Sequence, residues 1–196
     1  MLTRRQLVLK RIFDISISIV IMPFVLLPFG FLVIIAGFST RNNGIFVQKR
    51  VGYMGETFDL YKIRSLRGDN HPDIMDIKNN ETTFGQWLRK TKLDELPQIV
   101  NVLKGDMSWV GPRPDVPGYA DKLEGEDRII LKVRPGITGP ATLKYRNEDA
   151  LLLKQEHPLE YNDTVIWPDK VKMNKAYIAH WSLGKDIRCL WTSVFN

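Results

Sequence analysis

One stretch of the chain limits its architecture more than any other. From Ile15 to Thr40, 26 consecutive residues carry no charge, and most are Ile, Val, Leu, Phe or Met. As a straight helix this run is about 39 Å long at 1.5 Å per residue, enough for a hydrocarbon core of ~30 Å. It exceeds the roughly 7–15 apolar residues of a signal-peptide core. Pro23 and Pro28 fall inside it, and each removes a helical hydrogen bond and favours a bend. Ser16 and Ser18 precede Pro23 closely enough to satisfy freed backbone groups.

The flanks matter as much as the run. Arg4, Arg5, Lys10 and Arg11 precede it, and Arg41, Lys49 and Arg50 follow it. The positive-inside rule assigns both flanks to the cytoplasm, which a single straight span cannot satisfy. A helix broken near Met22–Pro23 can, with arms Ile12–Met22 and Pro23–Gly37 of about 16 and 22 Å, each roughly one leaflet. The flanks therefore favour a re-entrant, membrane-dipping helix with both ends inside, and an ordinary transmembrane helix is the other arrangement.

Charge is distributed to match. Residues 1–67 hold ten Lys/Arg against three Asp/Glu, whereas residues 68–196 hold eighteen against nineteen. A basic surplus beside an apolar segment points to an anionic membrane surface and away from nucleic acid. With one cysteine, Cys189, and only His71, His157 and His180, the chain has neither an internal disulfide nor a Cys/His zinc set. Its 196 residues, 44% hydrophobic and 26% charged, fit one folded unit and exclude a disordered or low-complexity chain.

The expected architecture is α+β: a membrane-associated helix over 1–40 and a small cytoplasmic α/β catalytic domain over 41–196. Phe46–Val51 and Phe58–Ile63 read as a short hairpin. Phe84–Lys90 and Glu95–Lys104 read as helices, with Asp94 as N-cap of the second, Pro97 in its first turn and Gly105 at its end. Val110–Pro117 reads as irregular. Glu126–Val133 suits a short helix, or Ile129–Val133 a strand. Lys170–Phe195 suits two amphipathic helices broken near Gly184. Their Tyr177, Trp181, Trp191 and Phe195 suit either a membrane interface or a core.

Three local features carry chemistry. Arg89-Lys90-Thr91-Lys92-Leu93-Asp94-Glu95-Leu96-Pro97-Gln98 places two adjacent carboxylates at an expected helix N-terminus behind three cations. That setting keeps Asp94 ionised, as a nucleophile requires, and attracts phosphate. A divalent cation on Asp94 and Glu95 would reduce repulsion between an anionic nucleophile and a diphosphate. Taken alone, such a pair beside lysines is more often a cap and a solvated face. Val110-Gly111-Pro112-Arg113-Pro114 holds Arg113 between prolines, and a guanidinium fork suits phosphate. Lys62 and Arg64 share one face if they lie on a strand, where two cations can grip a diphosphate. Arg89, Arg134 and Arg146 complete the phosphate-binding candidates. Without a Walker A loop or a Gly-x-Gly-x-x-Gly motif, any nucleotide is held by cations and a metal.

Together these motifs resemble the bacterial sugar transferase family, the monotopic phosphoglycosyl transferases. The resemblance runs from the membrane helix through Gln48-Lys49-Arg50-Val51-Gly52, Phe58 to Ser65, Arg89 to Gln98, Asn101 to Ser108, Val110 to Pro114 and Arg134 to Gly139. It implies transfer of a sugar-1-phosphate from a UDP-sugar to a polyprenyl phosphate such as undecaprenyl phosphate, with release of UMP. Such a step initiates O-antigen, capsule, exopolysaccharide or protein-glycan synthesis. It also implies Asp94 as nucleophile, giving a phosphosugar-aspartyl intermediate, Glu95 as its assistant, Mg²⁺ at Asp94 and Glu95, and a re-entrant helix kinked near Pro23. The implied location is the bacterial inner (cytoplasmic) membrane, with the catalytic domain on the cytoplasmic face. A monomer and a homodimer both remain open. Trp109 stands where relatives carry an aliphatic residue, Ile63 where an aromatic is common, and the stretch from Pro140 to Asn147 departs from the Ala-Gln and Gly-Arg that many relatives have there. A non-catalytic membrane scaffold of the same ancestry and a soluble glycosyltransferase releasing UDP are the competing readings.

Overall fold

The computed structural model describes residues 2–69 and 74–195, so His71 lies outside the described residues. The chain opens with α1 (Arg4–Thr40), followed by β1 (Ile45–Val51) and β2 (Thr57–Ile63). Helices α2 (Ile74–Asn80), α3 (Thr83–Thr91) and α4 (Gln98–Lys104) lead to β3 (Ser108–Val110). A 3₁₀ stretch at Gly125–Lys132 precedes β4 (Gly136–Thr138). Helices α5 (Pro140–Lys144), α6 (Glu148–Leu152), α7 (Pro158–Tyr161), α8 (Trp167–Ala179) and α9 (Leu183–Phe195) complete the fold.

α1 starts at a capping box. Thr3 Oγ1 accepts from the Gln6 N–H at 3.3 Å, and the Gln6 side-chain oxygen accepts from the Thr3 N–H at 2.8 Å. The helix continues through Pro23 and Pro28 to Arg41, whose left-handed φ of 54° ends it. The two expected arms are therefore one secondary-structure element. Its faces are inverted relative to a soluble helix. Lys10, Asp14, Ser18 and Thr40 are buried, whereas Val20, Phe24, Leu27, Phe31 and Phe38 face outwards.

Polar contacts fasten the first half of α1. Lys10 Nζ lies 2.6 Å from Asp186 of α9, and that buried carboxylate also accepts from the Tyr177 hydroxyl at 2.6 Å and Trp181 Nε1 at 3.1 Å. Asp14 Oδ1 accepts from Ser108 Oγ at 3.0 Å and the Trp109 N–H at 3.1 Å. Trp109 Nε1 donates to Ser18 Oγ at 2.9 Å, so the unusual tryptophan docks the helix. Arg11 donates to the carbonyls of Val102 and Leu103, satisfying the open end of α4. The second half docks through apolar contact, with Leu32 and Ala36 in one cluster with Ile63 and Leu88. Both halves of α1 thus rest on the same folded unit.

The hairpin forms as its alternation predicts, antiparallel, with Phe46 opposite Lys62, Gln48 opposite Leu60 and Arg50 opposite Phe58. β3 and β4 pair in parallel over Ser108–Gly136 and Val110–Thr138, so Val110 closes a strand and the irregular segment begins after it. This contact is backbone against backbone. A Cβ on Gly136 would lie 2.1 Å from the Gly111 nitrogen, and one on Gly139 would lie 2.3 Å from the Gly111 oxygen. The glycines of the two Gly/Pro-rich motifs therefore bring the Arg113 loop beside Thr138.

Three local expectations change. Asp94 is not a helix N-cap. Lys92, at φ 60°, ends α3 and turns the chain at once into a 3₁₀ turn, Leu93–Glu95. Pro97 has no N–H to donate, so the α-helical ladder starts at Gln98 and runs to Gly105, whose φ is 94°. The segment over Glu126–Val133 is the helical alternative in 3₁₀ form. The C-terminal break falls at His180–Ser182, ahead of Gly184. The aromatics divide: Tyr177 and Trp181 are core, whereas Trp191 and Phe195 are exposed with ring centroids 4.2 Å apart.

Removing Asp186 strands a buried ammonium and two donors, a situation that costs about 3–5 kcal/mol. Asp186→Ala is expected to lower the melting temperature in detergent sharply, and Lys10→Met with Asp186→Leu to recover much of the loss. Thermal unfolding of both variants beside the parent checks this.

Candidate active site

A cleft of about 1090 Å³ lies where the hairpin, the turn at Leu93–Glu95, the Arg113 loop and α8 meet, with Ile21 and Val25 of α1 on its wall. The hairpin register sets Arg50 and Lys62 on one face of the sheet, because opposed residues and every second residue share a face. The 3₁₀ turn carries Asp94 and Glu95, only 6% and 7% exposed. The loop after β3 supplies Arg113 and Asp115.

Glu95 is the centre of the charge arrangement. Its Oε1 accepts from Arg113 Nη2 at 2.5 Å and lies 3.8 Å from Lys62 Nζ. Burial pushes its carboxyl up, but Arg113 and Lys62 together outweigh burial and hold it at about 2. The Glu95 carboxylate in turn holds the Arg113 guanidinium above its ordinary value. Burial lowers Lys62 to about 8, against the pull of Glu95. Asp94 differs from its neighbour. Burial raises it, Lys62 pulls it back, and the charge of Glu95 raises it further. The expected stabilisation of ionised Asp94 by a helix N-terminus is therefore absent, since no such terminus forms there. Asp94 Oδ1 is buried and has no hydrogen-bond partner among the described residues.

The structure brings most of the anticipated cations to this cleft but frees few of them. Lys62 and Arg113 face the carboxylates directly. Arg64 lines the cleft, sits beyond the end of β2 and is buried, with Nε donating to Asn43 O at 2.7 Å and Nη1 to Gly68 O at 3.0 Å and to Asp69. These contacts close a loop. Arg89 lines the cleft and pairs with Glu81 at 3.4 Å and with Asp149. Arg146 lines it and donates to Ser193 O at 2.7 Å. Arg134 is not among the cleft-lining residues. It donates to Gly105 O at 2.7 Å and lies over the Tyr53 ring, so it braces the end of α4.

The chain belongs to the bacterial sugar transferase family. A family model with that description matches residues 5–196. The uncharacterized sugar transferase EpsL of Bacillus subtilis is 30% identical over 190 residues, 96% of this chain and 86% of that protein. The UDP-glucose:undecaprenyl-phosphate glucose-1-phosphate transferase of Klebsiella pneumoniae is 34% identical over 201 residues, 97% of this chain. Its Escherichia coli namesake is 33% identical over 197 residues, 96% of this chain. The chain spans 40% of the length of each of these two enzymes, which are the larger proteins.

Sugar transferases must manage phosphate charge, and this one has residues that sequence reasoning passed over. Arg50 lies in Gln48-Lys49-Arg50-Val51-Gly52, and its place on the Lys62 face follows from the hairpin register. Burial lowers it to about 10, with Arg113 adding repulsion. Asp115, directly after the Pro-Arg-Pro motif, is raised by burial to about 6 against the pull of Lys170 and Arg50. Among the described residues no cluster of three or more His, Cys, Asp or Glu side chains is arranged for a metal. Mg²⁺ commonly takes only one or two carboxylates and draws its other oxygens from water and substrate phosphate. The adjacent Asp94 and Glu95, with Asp94 Oδ1 unpartnered, fit that donor set.

With Lys62 at about 8, its ammonium is complete below that pH and lost above it. In the free enzyme kcat/KM for a nucleotide-sugar donor is expected to fall on an alkaline limb near pH 8. Lys62→Arg is expected to move that limb beyond pH 10, because guanidinium stays charged. A pH profile of both proteins checks this.

Proposed function

We propose that this protein transfers a sugar-1-phosphate from a UDP-sugar to a polyprenyl phosphate such as undecaprenyl phosphate, releasing UMP. The observation that carries the reading is Asp94. Its buried, unpartnered Oδ1 lines a cleft held by Lys62 and Arg113 and walled by the apolar helix α1. The named Klebsiella and Escherichia relatives, glucose-1-phosphate transferases acting on undecaprenyl phosphate, support the same reaction.

The chemistry follows in two displacements. An Asp94 carboxylate oxygen attacks the sugar-side phosphorus, and the bond from that phosphorus to the bridging oxygen breaks. UMP leaves with the bridging oxygen, and a phosphosugar-aspartyl ester remains. A phosphate oxygen of the lipid then attacks the same phosphorus and expels the Asp94 carboxylate, giving a lipid-linked diphosphate sugar. Lys62 and Arg113 hold phosphate oxygens near Asp94, and Glu95 keeps both cations in place. Mg²⁺ held by Asp94 and Glu95 would neutralise diphosphate charge when bound. Burial that raises Asp94 also strips water from it, which strengthens its interaction with the approaching cations and phosphate.

A monotopic placement at the cytoplasmic face of the inner membrane suits this geometry. Both halves of α1 dock on one folded unit, as a helix with both ends on one side of a bilayer must. α9, tied to α1 through Lys10, exposes Ile187, Trp191, Val194 and Phe195, a face suited to the headgroup boundary. The lipid phosphate lies at that level and needs no extraction.

Asp94→Asn is expected to retain the parent's melting temperature and lose at least a thousandfold in UMP release, since an amide is a poor nucleophile. Nucleotide analysis with Mg²⁺, undecaprenyl phosphate and a panel of UDP-sugars checks it, and UDP in place of UMP would reject the reaction. For topology, cysteines placed at Thr3 and Asn42 in a Cys189→Ser background are expected to react with an impermeant reagent only from the cytoplasmic side. Opposite accessibility of the two would establish a span.

A further inference from the structure

Four buried side-chain atoms have no hydrogen-bond partner among the described residues: Asp94 Oδ1, Thr138 Oγ1, Thr142 Oγ1 and Asn174 Oδ1. All four residues line the same cleft. Asp94 is explained by the proposed attack on phosphorus. The other three are neutral and come from different elements: the end of β4, α5 and α8. Thr138 and Asn174 are each only 4% exposed. Buried polar groups are almost always satisfied, so three orphans on one wall imply that something outside the chain completes them.

We propose that Thr138, Thr142 and Asn174 form the subsite that hydrogen-bonds the sugar ring of the donor and set which sugar is accepted. This rests on the reading of the protein as a UDP-sugar phosphotransferase. The chemistry suits a sugar: two hydroxyls that both donate and accept, and one amide that presents oxygen or NH₂ by a simple flip. None is charged, so the wall is poor at holding phosphate, which Lys62 and Arg113 already face. The position suits a sugar and not the nucleobase. Arg113 Nη1 points to the Ile137 carbonyl at 3.4 Å, next to Thr138, while its Nη2 holds Glu95 beside Asp94. Thr138 is thus one residue from the cluster that receives the attacked phosphorus. The sugar is bonded to that phosphate, whereas the base lies beyond a second phosphate and a ribose. Thr138 ends β4 and Thr142 lies in α5, which begins two residues later at Pro140, and α5 packs on α8, where Asn174 stands one turn after Lys170.

The test uses the full chain in detergent, with Thr142→Val and Asn174→Leu, and Thr142→Ser as the variant that keeps the hydroxyl. Two readouts are taken over a panel of UDP-hexoses and UDP-N-acetylhexosamines. They are kcat/KM for UMP release and ligand-induced shifts in melting temperature, with UMP alone as a nucleoside control. Thr142→Val and Asn174→Leu are expected to lose about tenfold in kcat/KM for the preferred donor and to flatten its advantage over its epimers. Stabilisation by UMP and KM for undecaprenyl phosphate are expected to stay within twofold of the parent, and Thr142→Ser is expected to keep the parent's ranking. Equal losses for every donor together with weaker UMP binding would assign the wall to the nucleoside and overturn the proposal. So would a parent-like ranking in both variants, or a parent protein that UDP-sugars do not stabilise. Ranked stabilisation without UMP release would instead refute the transferase reaction and leave the subsite standing.

Discussion

The architecture depends on how a helix with an apolar exterior is held to a small folded unit. Burying Lys10 against Asp186 is costly unless every group is paired, and here the carboxylate also takes the Tyr177 hydroxyl and the Trp181 indole. Asp14 and Ser18 repeat the device four and eight residues later, through Ser108 and Trp109. A purely apolar inner face would not distinguish the protein from lipid, because hydrocarbon solvates leucine as well as a core does. Polar pairs that have no partner in the bilayer define which face of α1 turns inwards. Arg11 extends the same contact to the end of α4, whose other end adjoins the turn that carries Asp94 and Glu95. The apolar helix and the turn carrying Asp94 and Glu95 are therefore linked by one continuous chain of contacts.

Within the cleft, two adjacent carboxylates acquire different characters from their partners. Glu95 takes Arg113 and Lys62 and is held at about 2, while Asp94, equally buried, is raised and keeps an oxygen without a partner among the described residues. One residue organises positive charge and the other remains available for chemistry. Had both been fully paired, neither would be free to attack. Had both been unpaired, their mutual repulsion and burial would have favoured the protonated forms.

The hairpin, α3, the end of α4 and the Asp94–Glu95–Arg113 constellation were legible because they rest on local rules. Alternation sets a strand face, glycine at positive φ stops a helix, and prolines fix the approach of Arg113. Arg64 and Arg134 were not distinguishable from Arg113 on such rules. Each is an arginine beside a turn, and the backbone carbonyls that Arg64 and Arg134 meet became visible only in the fold. The Asp94 cap failed for a similar reason. A left-handed Lys92, which no composition rule announces, put the chain into a 3₁₀ turn before any extended N-cap could form. Arg50 lay inside a recognised motif and Asp115 directly after one, but their places in the cleft needed the hairpin register and the β3–β4 contact to become visible. The polar inner face of α1 was present in the spacing of Lys10, Asp14 and Ser18, and its meaning required the partners on α9 and β3.

The cleft divides by charge, and that division suits a two-substrate reaction. Cations converge on the turn bearing Asp94, which on the proposed reading meets the donor and lipid phosphates in succession. Neutral groups without partners among the described residues lie on β4, α5 and α8, where on the proposed reading a sugar stays seated while UMP leaves and the lipid phosphate enters. Apolar side chains of α1 line the remaining side, open to a molecule whose other end is hydrocarbon. If the sugar is held by the neutral wall through both displacements, the phosphorus stays beside Asp94 while its partners exchange. A covalent intermediate then needs no further device to keep the two large substrates from occupying the cleft together.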